Sequence, residues 1–282
     1  MISLLNGISF GMVLFLLTIG LSITLGLMGI LNLAHGALFM VASFVGWMLV
    51  TQLGYSYWLA LLAGTIAAGL VGLAIQQGFL RYLYKLINEQ VLLTIGFIYI
   101  LMNLSLWIWG GRARLPYHAS ILSGSFPIVG WEYPVHRIFT IGIGLILVFG
   151  LWWLLEKTRL GAIVRAGMDD KEMTAGLGIN FGRITYLVFF LSSLMAGFAG
   201  VIGAQMMGPR IGMGWDILLF ALIVLVVGGM GSIQGALVGA IVIGLVDSFG
   251  RALFPELAMF TMYLTMIIIL LVKPAGLMPR GA

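Results

Sequence analysis

The chain has 282 residues, of which 62% are hydrophobic and only 8% are charged, and its formal net charge is +5. Soluble domains carry about 25% charged residues, so this composition and the mean hydropathy of +1.16 exclude a water-soluble globular protein. The sequence contains no cysteine, which excludes disulfides and thiolate metal sites. The chain is therefore expected to fold in lipid.

Apolar runs long enough to cross a bilayer recur along nearly the whole chain. The pattern predicts an all-α membrane protein, a polytopic helical bundle of about 8 to 10 spans, since a span needs about 20 mainly apolar residues. The predicted spans cover residues 4–28, 36–52, 58–80, 90–109, 138–155, 184–205, 216–231, 235–251 and 258–272. The first run lacks a basic leader and a cleavage site, so it is interpreted as a retained span. We expect one transmembrane domain, residues 1–282.

Glycine is the second compositional signal, at 40 of 282 residues, about twice its usual share of roughly 7%. Small residues at four-residue spacing let helix backbones approach closely in lipid. Such ladders favour tight packing over a direct role in a solute path. They are Ala60, Gly64, Ala68 and Gly72; Ala196, Gly200, Ala204 and Gly208; and Gly231, Gly235 and Gly239.

The two longest polar stretches, residues 110–137 and 156–183, are expected on opposite sides of the membrane because one span separates them. If residues 156–183 are cytoplasmic, nine basic residues lie inside and five outside, which obeys the positive-inside rule. We therefore predict a periplasmic loop at 110–137 and a cytoplasmic segment at 156–183. The inside set is Arg81, Lys85, Lys157, Arg159, Arg165, Lys171, Arg183, Lys273 and Arg280; the outside set is Arg112, Arg114, Arg137, Arg210 and Arg251.

The segment 156–183 must adopt a structure in water between two strong spans. Asp169 followed by Glu172 resembles a capping box, in which each side chain satisfies a free backbone N–H at a helix start. Gly176 and Gly178 favour termination soon afterwards. The pattern predicts a helix of two turns.

On that helix Met173 and Leu177 are four residues apart and share one face. A helix this short is marginal alone in water, so it is expected to dock on something. A small apolar face with acidic flanks suits a groove on a partner protein. A connector lying on the lipid headgroups is the alternative.

Four sequence blocks stand out along the chain. They are Asn32 to Gly36; Thr158 to Gly161 with Arg165, Ala166, Asp170 to Met173 and Leu177 to Asn180; Val226 to Ser232 with Gln234 to Ala236; and Lys273 to Leu277. Together they resemble branched-chain amino acid permeases of the LivH type. They occur in the family's order over essentially the whole chain, and four blocks in register are specific where one alone is weak. The chain departs from the family in having Asp169 where glutamate is commoner and Gln234 where proline is frequent.

The resemblance implies the permease subunit of an ATP-binding cassette (ABC) importer in the bacterial inner membrane. Such a subunit pairs with a second homologous permease, sits on two ABC ATPase subunits and receives solute from a periplasmic solute-binding protein. The implied solutes are branched-chain amino acids, or related small polar solutes such as urea, amides and aromatic acids. The resemblance also assigns ATPase coupling to Asp169, Asp170, Glu172, Met173, Ala175, Leu177 and Gly178.

The sequence itself carries no nucleotide site. A phosphate-binding loop needs Gly-Lys followed by Ser or Thr, and none of the lysines follows a glycine. We therefore expect no enzymatic activity and no cofactor in this chain, with ATP and Mg²⁺ used by the partner ATPases. No metal site is predicted, because the three histidines are far apart in sequence and no HExxH pattern exists. No nucleic acid partner is expected.

Polar residues within spans are costly and suggest function. Asn32 and His35 lie three residues apart at a glycine-flanked break, so they share a face. That face either borders the solute path or caps the helix ends. The candidate translocation residues are Asn32, His35, Gly36, Asn103 and Gln234.

The loop 110–137 mixes aromatic and charged residues, as recognition surfaces do. Its candidates for docking the binding protein are Arg112, Arg114, Tyr117 and Trp131. An aromatic belt at the membrane interface is the alternative interpretation.

Asp216 and Asp247 fall near the outer ends of their spans, which favours structural roles over a proton relay. Asp216 is expected to cap the helix after Trp215, and Asp247 to pair with Arg251 four residues later. A secondary transporter or channel would need charged groups deep in the bundle, and a membrane-embedded enzyme would need a carboxylate pair or a histidine–metal motif. The sequence favours the permease over both.

Overall fold

A computed structural model describes residues 1–83, 86–128 and 130–278, apart from the side chains at 27, 28, 128, 171, 172 and 181. Lys85 and Arg280, which were counted among the inside basic residues, lie outside the described residues. The α-helices in the described ranges are α1 (Ile2–Met28), α2 (His35–Trp47), α3 (Tyr57–Gly78), α4 (Ile87–Trp109), α5 (Val135–Lys157), α6 (Arg159–Asp169), α7 (Lys171–Gly176), α8 (Phe181–Met207), α9 (Met213–Gly228), α10 (Ile233–Leu253) and α11 (Ala258–Val272).

Over the described ranges, eight helical segments are long and apolar enough to cross a membrane. This confirms the predicted all-α membrane fold. α2 reaches that length by continuing through a π-helical turn, Met48–Gln52. The predicted span 216–231 is the exception, because α9 has only 16 residues, about 24 Å of helix. α9 ends at Gly228, because the next residue, Gly229, has a φ of 101°, which is incompatible with an α-helix.

α1 is the central helix, and its residues 13–17 are almost completely buried. It packs against α10 with glycine facing glycine. A Cβ on Gly11 would lie 2.8 Å from the Ala240 carbonyl oxygen, and one on Gly244 would lie 2.4 Å from the Gly7 carbonyl oxygen. These pairings run antiparallel, as expected for helices that cross in opposite directions.

The first two glycine ladders face neighbouring helices, which confirms the packing prediction. A Cβ on Gly64 would lie 2.6 Å from Val201 of α8, and one on Gly200 would lie 2.2 Å from the Phe39 carbonyl oxygen of α2. Gly208 and Gly231 are different, because both have positive φ and stand outside the helices. The prediction that they continue helical faces is wrong.

Peripheral helices expose large apolar side chains. Trp107 on α4, Ile146 on α5 and Leu271 on α11 are 84%, 67% and 79% exposed. Such surfaces are unfavourable in water and suit lipid or another membrane subunit.

A small hairpin interrupts the helices, a feature that the sequence did not predict. β1 (Ser125–Ile128) and β2 (Trp131–Pro134) pair antiparallel in the register Ser125↔Pro134, Phe126↔Tyr133, Pro127↔Glu132 and Ile128↔Trp131. It belongs to the loop before α5, and α5 leads directly from that loop to residues 156–183. We call the end of the bundle with residues 110–137 the loop end, and the end with residues 156–183 the coupling end.

Candidate functional site

The coupling end begins with α6, an amphipathic helix that sequence reasoning missed. Thr158 is its N-cap, and the Thr158 hydroxyl accepts the backbone N–H three residues later at 3.2 Å. Leu160, Val164 and Met168 recur every four residues on one face, and Val164 is only 1% exposed. A Cβ on Gly26 of α1 would lie 2.2 Å from the Met168 methyl group, so Met168 packs against α1 where Gly26 has no side chain. The threonine and the four-residue spacing were the available signals.

The cap of α7 differs from the prediction. Asp170 is the N-cap, and its Oδ1 accepts the backbone N–H of Met173 at 2.9 Å. The Thr174 hydroxyl donates to the Asp170 carbonyl at 2.6 Å. The predicted capping box of Asp169 with Glu172 is wrong, because α6 continues through Asp169 and the extended cap position falls one residue later. The Glu172 side chain lies outside the described residues.

The apolar face of α7 is uncovered. Met173 is 71% exposed and Leu177 is 78% exposed. Ala175 and Gly178 are exposed as well, and Gly178 has a φ of 83° where the helix ends. Two large apolar side chains, one on α7 and one directly after it, are therefore exposed at the coupling end of the chain.

Three of the four blocks that carry the family resemblance meet at this end. The Gly231 N–H donates to the Ser22 hydroxyl at 3.0 Å, which ties the loop before α10 to α1. The Leu277 N–H donates to the Val227 carbonyl at 2.8 Å, so the carboxyl-terminal block folds back onto the end of α9. The third block comprises α6 and α7, and Met168 packs α6 against α1.

Asn32 and His35 are enclosed in protein, at 1% and 0% exposure. His35 Nε2 lies 3.1 Å from the Leu17 carbonyl oxygen. A carbonyl only accepts, so Nε2 carries the proton and Nδ1 of a neutral ring is an acceptor. Neither His35 Nδ1 nor Asn32 Oδ1 has a hydrogen-bond partner among the described residues. A Cβ on Gly36 would lie 2.1 Å from the Gly214 carbonyl oxygen, so that glycine lets α2 approach α9.

The other two translocation candidates lie apart from this group. Asn103 is on the exposed face of α4, where its amide donates to the Tyr99 carbonyl at 2.8 Å. Gln234 lines a cavity of about 240 Å³ between α1, α5, α6 and the start of α10, which we call the coupling-end cavity. The described contacts do not join these two residues to His35.

At the loop end, two of the predicted docking residues are anchors. Tyr117 is 4% exposed, and its hydroxyl donates to the Ser43 carbonyl at 3.1 Å. Burial raises the pKa of the Tyr117 phenol well above its usual value. The Arg114 guanidinium stacks 4.4 Å from the Trp47 ring centroid. The prediction that Tyr117 forms part of a docking surface is wrong, because its ring is covered.

Arg112 and Trp131 remain accessible. Trp131, on the hairpin, is 60% exposed, and its neighbour Phe126 is 57% exposed. Arg112 is exposed in the preceding loop. These side chains leave a mixed aromatic and basic surface at the loop end.

Two ion pairs also lie at the loop end. Arg210 Nη2 lies 2.6 Å from Asp216 Oδ2. Asp216 lies within the first turn of α9, whose N-cap is Gly212, so the prediction that Asp216 caps this helix is wrong. Asp247 and Arg251 pair at 2.9 Å, as predicted. Arg251 borders two cavities of about 730 and 390 Å³.

The fold and its two ends define a multi-pass membrane protein of the transport-permease class. Residues 3–270 match the family described as the branched-chain amino acid transport system permease component. The chain belongs to this family.

Relatives extend over nearly the whole chain. It is 29% identical to the high-affinity branched-chain amino acid permease LivH of Salmonella typhimurium, covering 98% of this chain and 94% of that protein. It is 28% identical to BraD of Pseudomonas aeruginosa, covering 98% and 95%. A shorter match, 31% identical over 45% of this chain and 41% of the other, is to the ribose import permease RbsC of Escherichia coli.

Among solved structures, PsaBC from Streptococcus pneumoniae in complex with Fab aligns with a TM-score of 0.50 at 14% identity. The alignment covers 95% of this chain and 89% of that one. At that identity the likeness concerns the fold.

Proposed function

We propose that this chain translocates branched-chain amino acids across the bacterial inner membrane, powered by separate ABC ATPase subunits and supplied by a periplasmic binding protein. The observation that carries the proposal is the uncovered apolar surface of α7, which lies in the chain between α6 and α8. A second permease subunit would complete the membrane part. Residues 156–183 then face the cytoplasm, and residues 110–137 the periplasm.

The coupling role rests on how α7 is held. It has six residues, too few for a helix that stands alone in water, and its first turn is closed by two hydrogen bonds to its own cap residue, Asp170. Met173 therefore lies on a capped helical turn, and Leu177 lies directly after it. A cleft in an ATPase is a surface that such a helix fits.

Single-cysteine crosslinking tests this role directly, because the chain has no cysteine of its own. Met173→Cys and Leu177→Cys are expected to crosslink to an ATPase subunit in the assembled transporter. Leu115→Cys is the matched control, since Leu115 is 83% exposed at the loop end. Failure to capture an ATPase from α7, with the assembly intact, refutes the coupling role.

Accessibility labelling of the same variants tests the orientation. A membrane-impermeant thiol reagent added to spheroplasts is expected to label Leu115→Cys and to reach Met173→Cys only after permeabilisation. The reverse pattern refutes the proposed topology.

The solute is tested by uptake. Radiolabelled leucine, isoleucine or valine is expected to enter proteoliposomes that contain the complete transporter, the binding protein and ATP. Competition by urea, short amides or aromatic acids distinguishes the alternative solutes. Uptake that survives an inactive ATPase would indicate a secondary transporter or channel instead.

A further inference from the structure

The coupling-end cavity has features that the proposed transport cycle does not use. Its volume is about 240 Å³, just below the roughly 300 Å³ at which pockets for drug-sized ligands begin. Its walls combine polar groups with an aliphatic patch contributed by Ile19 and Ile23 of α1, Leu155 of α5 and Val164 of α6. A cavity of this size and lining suits a small molecule with a short apolar group.

One acidic and one basic side chain face each other in the cavity. Glu156 lies in the last turn of α5 and Arg165 lies on α6, with Oε2 and Nη1 3.4 Å apart and side-chain exposures of 44% and 36%. Ion pairs this exposed contribute little to stability. A ligand with both charges can therefore enter between them and replace one ion pair by two at little cost.

The start of α10 supplies a second anion-binding element. The cavity is lined by residues 231–234, the loop and first turn of that helix. The Gly235 N–H donates to the Ser232 hydroxyl, and the Gly231 N–H donates to the Ser22 hydroxyl. The first-turn N–H groups of Ile233 and Gln234 have no carbonyl partner within the helix. Together with Arg165 they favour a carboxylate.

We propose that the coupling-end cavity binds a free aliphatic α-amino acid as its zwitterion. Its carboxylate lies between Arg165 and the amino terminus of α10, its ammonium group on Glu156, and its side chain against Ile19, Ile23 and Leu155. That this ligand is also the transported solute rests on the proposed function, whereas the chemistry of binding does not.

The position of the cavity gives such binding a consequence. α6 forms one wall, and α6 leads within two residues into α7. A bound amino acid links α5, α6 and α10 and so holds α6 against the bundle. In the proposed orientation the site faces the cytoplasm, and accumulated amino acid slows the transporter through the coupling segment.

Calorimetric titration of L-leucine into the complete transporter in lipid nanodiscs, without its binding protein, tests the site. Saturable binding is expected, weakened at least about tenfold by either Arg165→Gln or Glu156→Gln. Arg210→Gln is the matched control, because it breaks an ion pair at the opposite end, and it is expected to bind leucine normally. Leucine is also expected to slow ATP hydrolysis by the wild type and not by Arg165→Gln.

Analogues give a readout that needs no variant to fold. L-leucinamide lacks the carboxylate and 4-methylpentanoate lacks the ammonium group, so each is expected to bind at least about tenfold more weakly than leucine. Absent binding, equal binding of either analogue, or binding indifferent to both charge variants overturns the proposal. Leucine uptake measured on the same preparation separates the two ideas: uptake without this binding overturns only the cavity site, and binding without uptake overturns only the proposed transport.

Discussion

Removing the apolar face of α7 tests whether that helix transmits force from an ATPase. The change is the double substitution Met173→Ala and Leu177→Ala. Both side chains are largely exposed, at 71% and 78%, so their loss is expected to leave the stability of the permease itself nearly unchanged. The effect should instead appear where a partner covers them.

The size of that effect follows from burial. Burying a Met or Leu side chain completely stabilises a complex by about 1.5–3 kcal/mol, so covering the exposed fractions of these two is worth about 1–2 kcal/mol each. Together they correspond to a loss of roughly 30-fold to several hundredfold in affinity. Helix propensity does not oppose this change, because alanine is the best helix former.

Affinity of the purified ATPase for nanodisc-embedded permease is the measurement, with leucine uptake measured alongside. The control is Leu115→Ala with Ile121→Ala, which removes similarly exposed side chains, 83% and 76%, at the loop end. The control is expected to bind the ATPase normally. An unchanged ATPase affinity in the α7 variant refutes the reasoning.

Four further substitutions test individual contacts. His35→Ala removes the buried ring and its hydrogen bond to the Leu17 carbonyl oxygen and is expected to lower stability by about 1–3 kcal/mol in thermal unfolding; unchanged uptake by an assembled transporter would remove this histidine from the solute path. Gly200→Ala places a Cβ against backbone and is expected to cost about 1–3 kcal/mol, whereas Gly142→Ala, with open space around it, should cost nothing; equal unfolding temperatures contradict this. Asp170→Ala is expected to cost the local helix about 0.5–2 kcal/mol and to weaken ATPase binding, while Asp170→Ser restores it; no rescue by serine argues against capping. Tyr117→Phe is expected to cost about 1 kcal/mol and to speed proteolysis of the loop, and identical cleavage rates would show that the hydroxyl anchors nothing.

Membrane character and most helices were predictable from the sequence, because in lipid every backbone polar group must be satisfied within a helix. Long apolar runs therefore identify helices without knowledge of their neighbours. The Asp247–Arg251 pair was also predictable, since four-residue spacing on a helix fixes the distance. In the same way, small residues in the ladders marked where helices meet.

Other features depend on residues far apart in the chain. The cap of α7 is Asp170 and not Asp169, because α6, which was not predicted from the sequence, continues through Asp169. Tyr117 looked like a surface residue, yet its ring is covered by packing above Gly46, which no pattern within the loop reveals.

The coupling-end cavity shows the same division most clearly. The sequence by itself placed Glu156 and Arg165 in the polar segment 156–183 and predicted a span at 235–251 far along the chain. Only the tertiary structure placed the two charges beside that helix start. Spacing within one helix is set by local geometry, whereas contacts between helices are set by packing of the whole bundle.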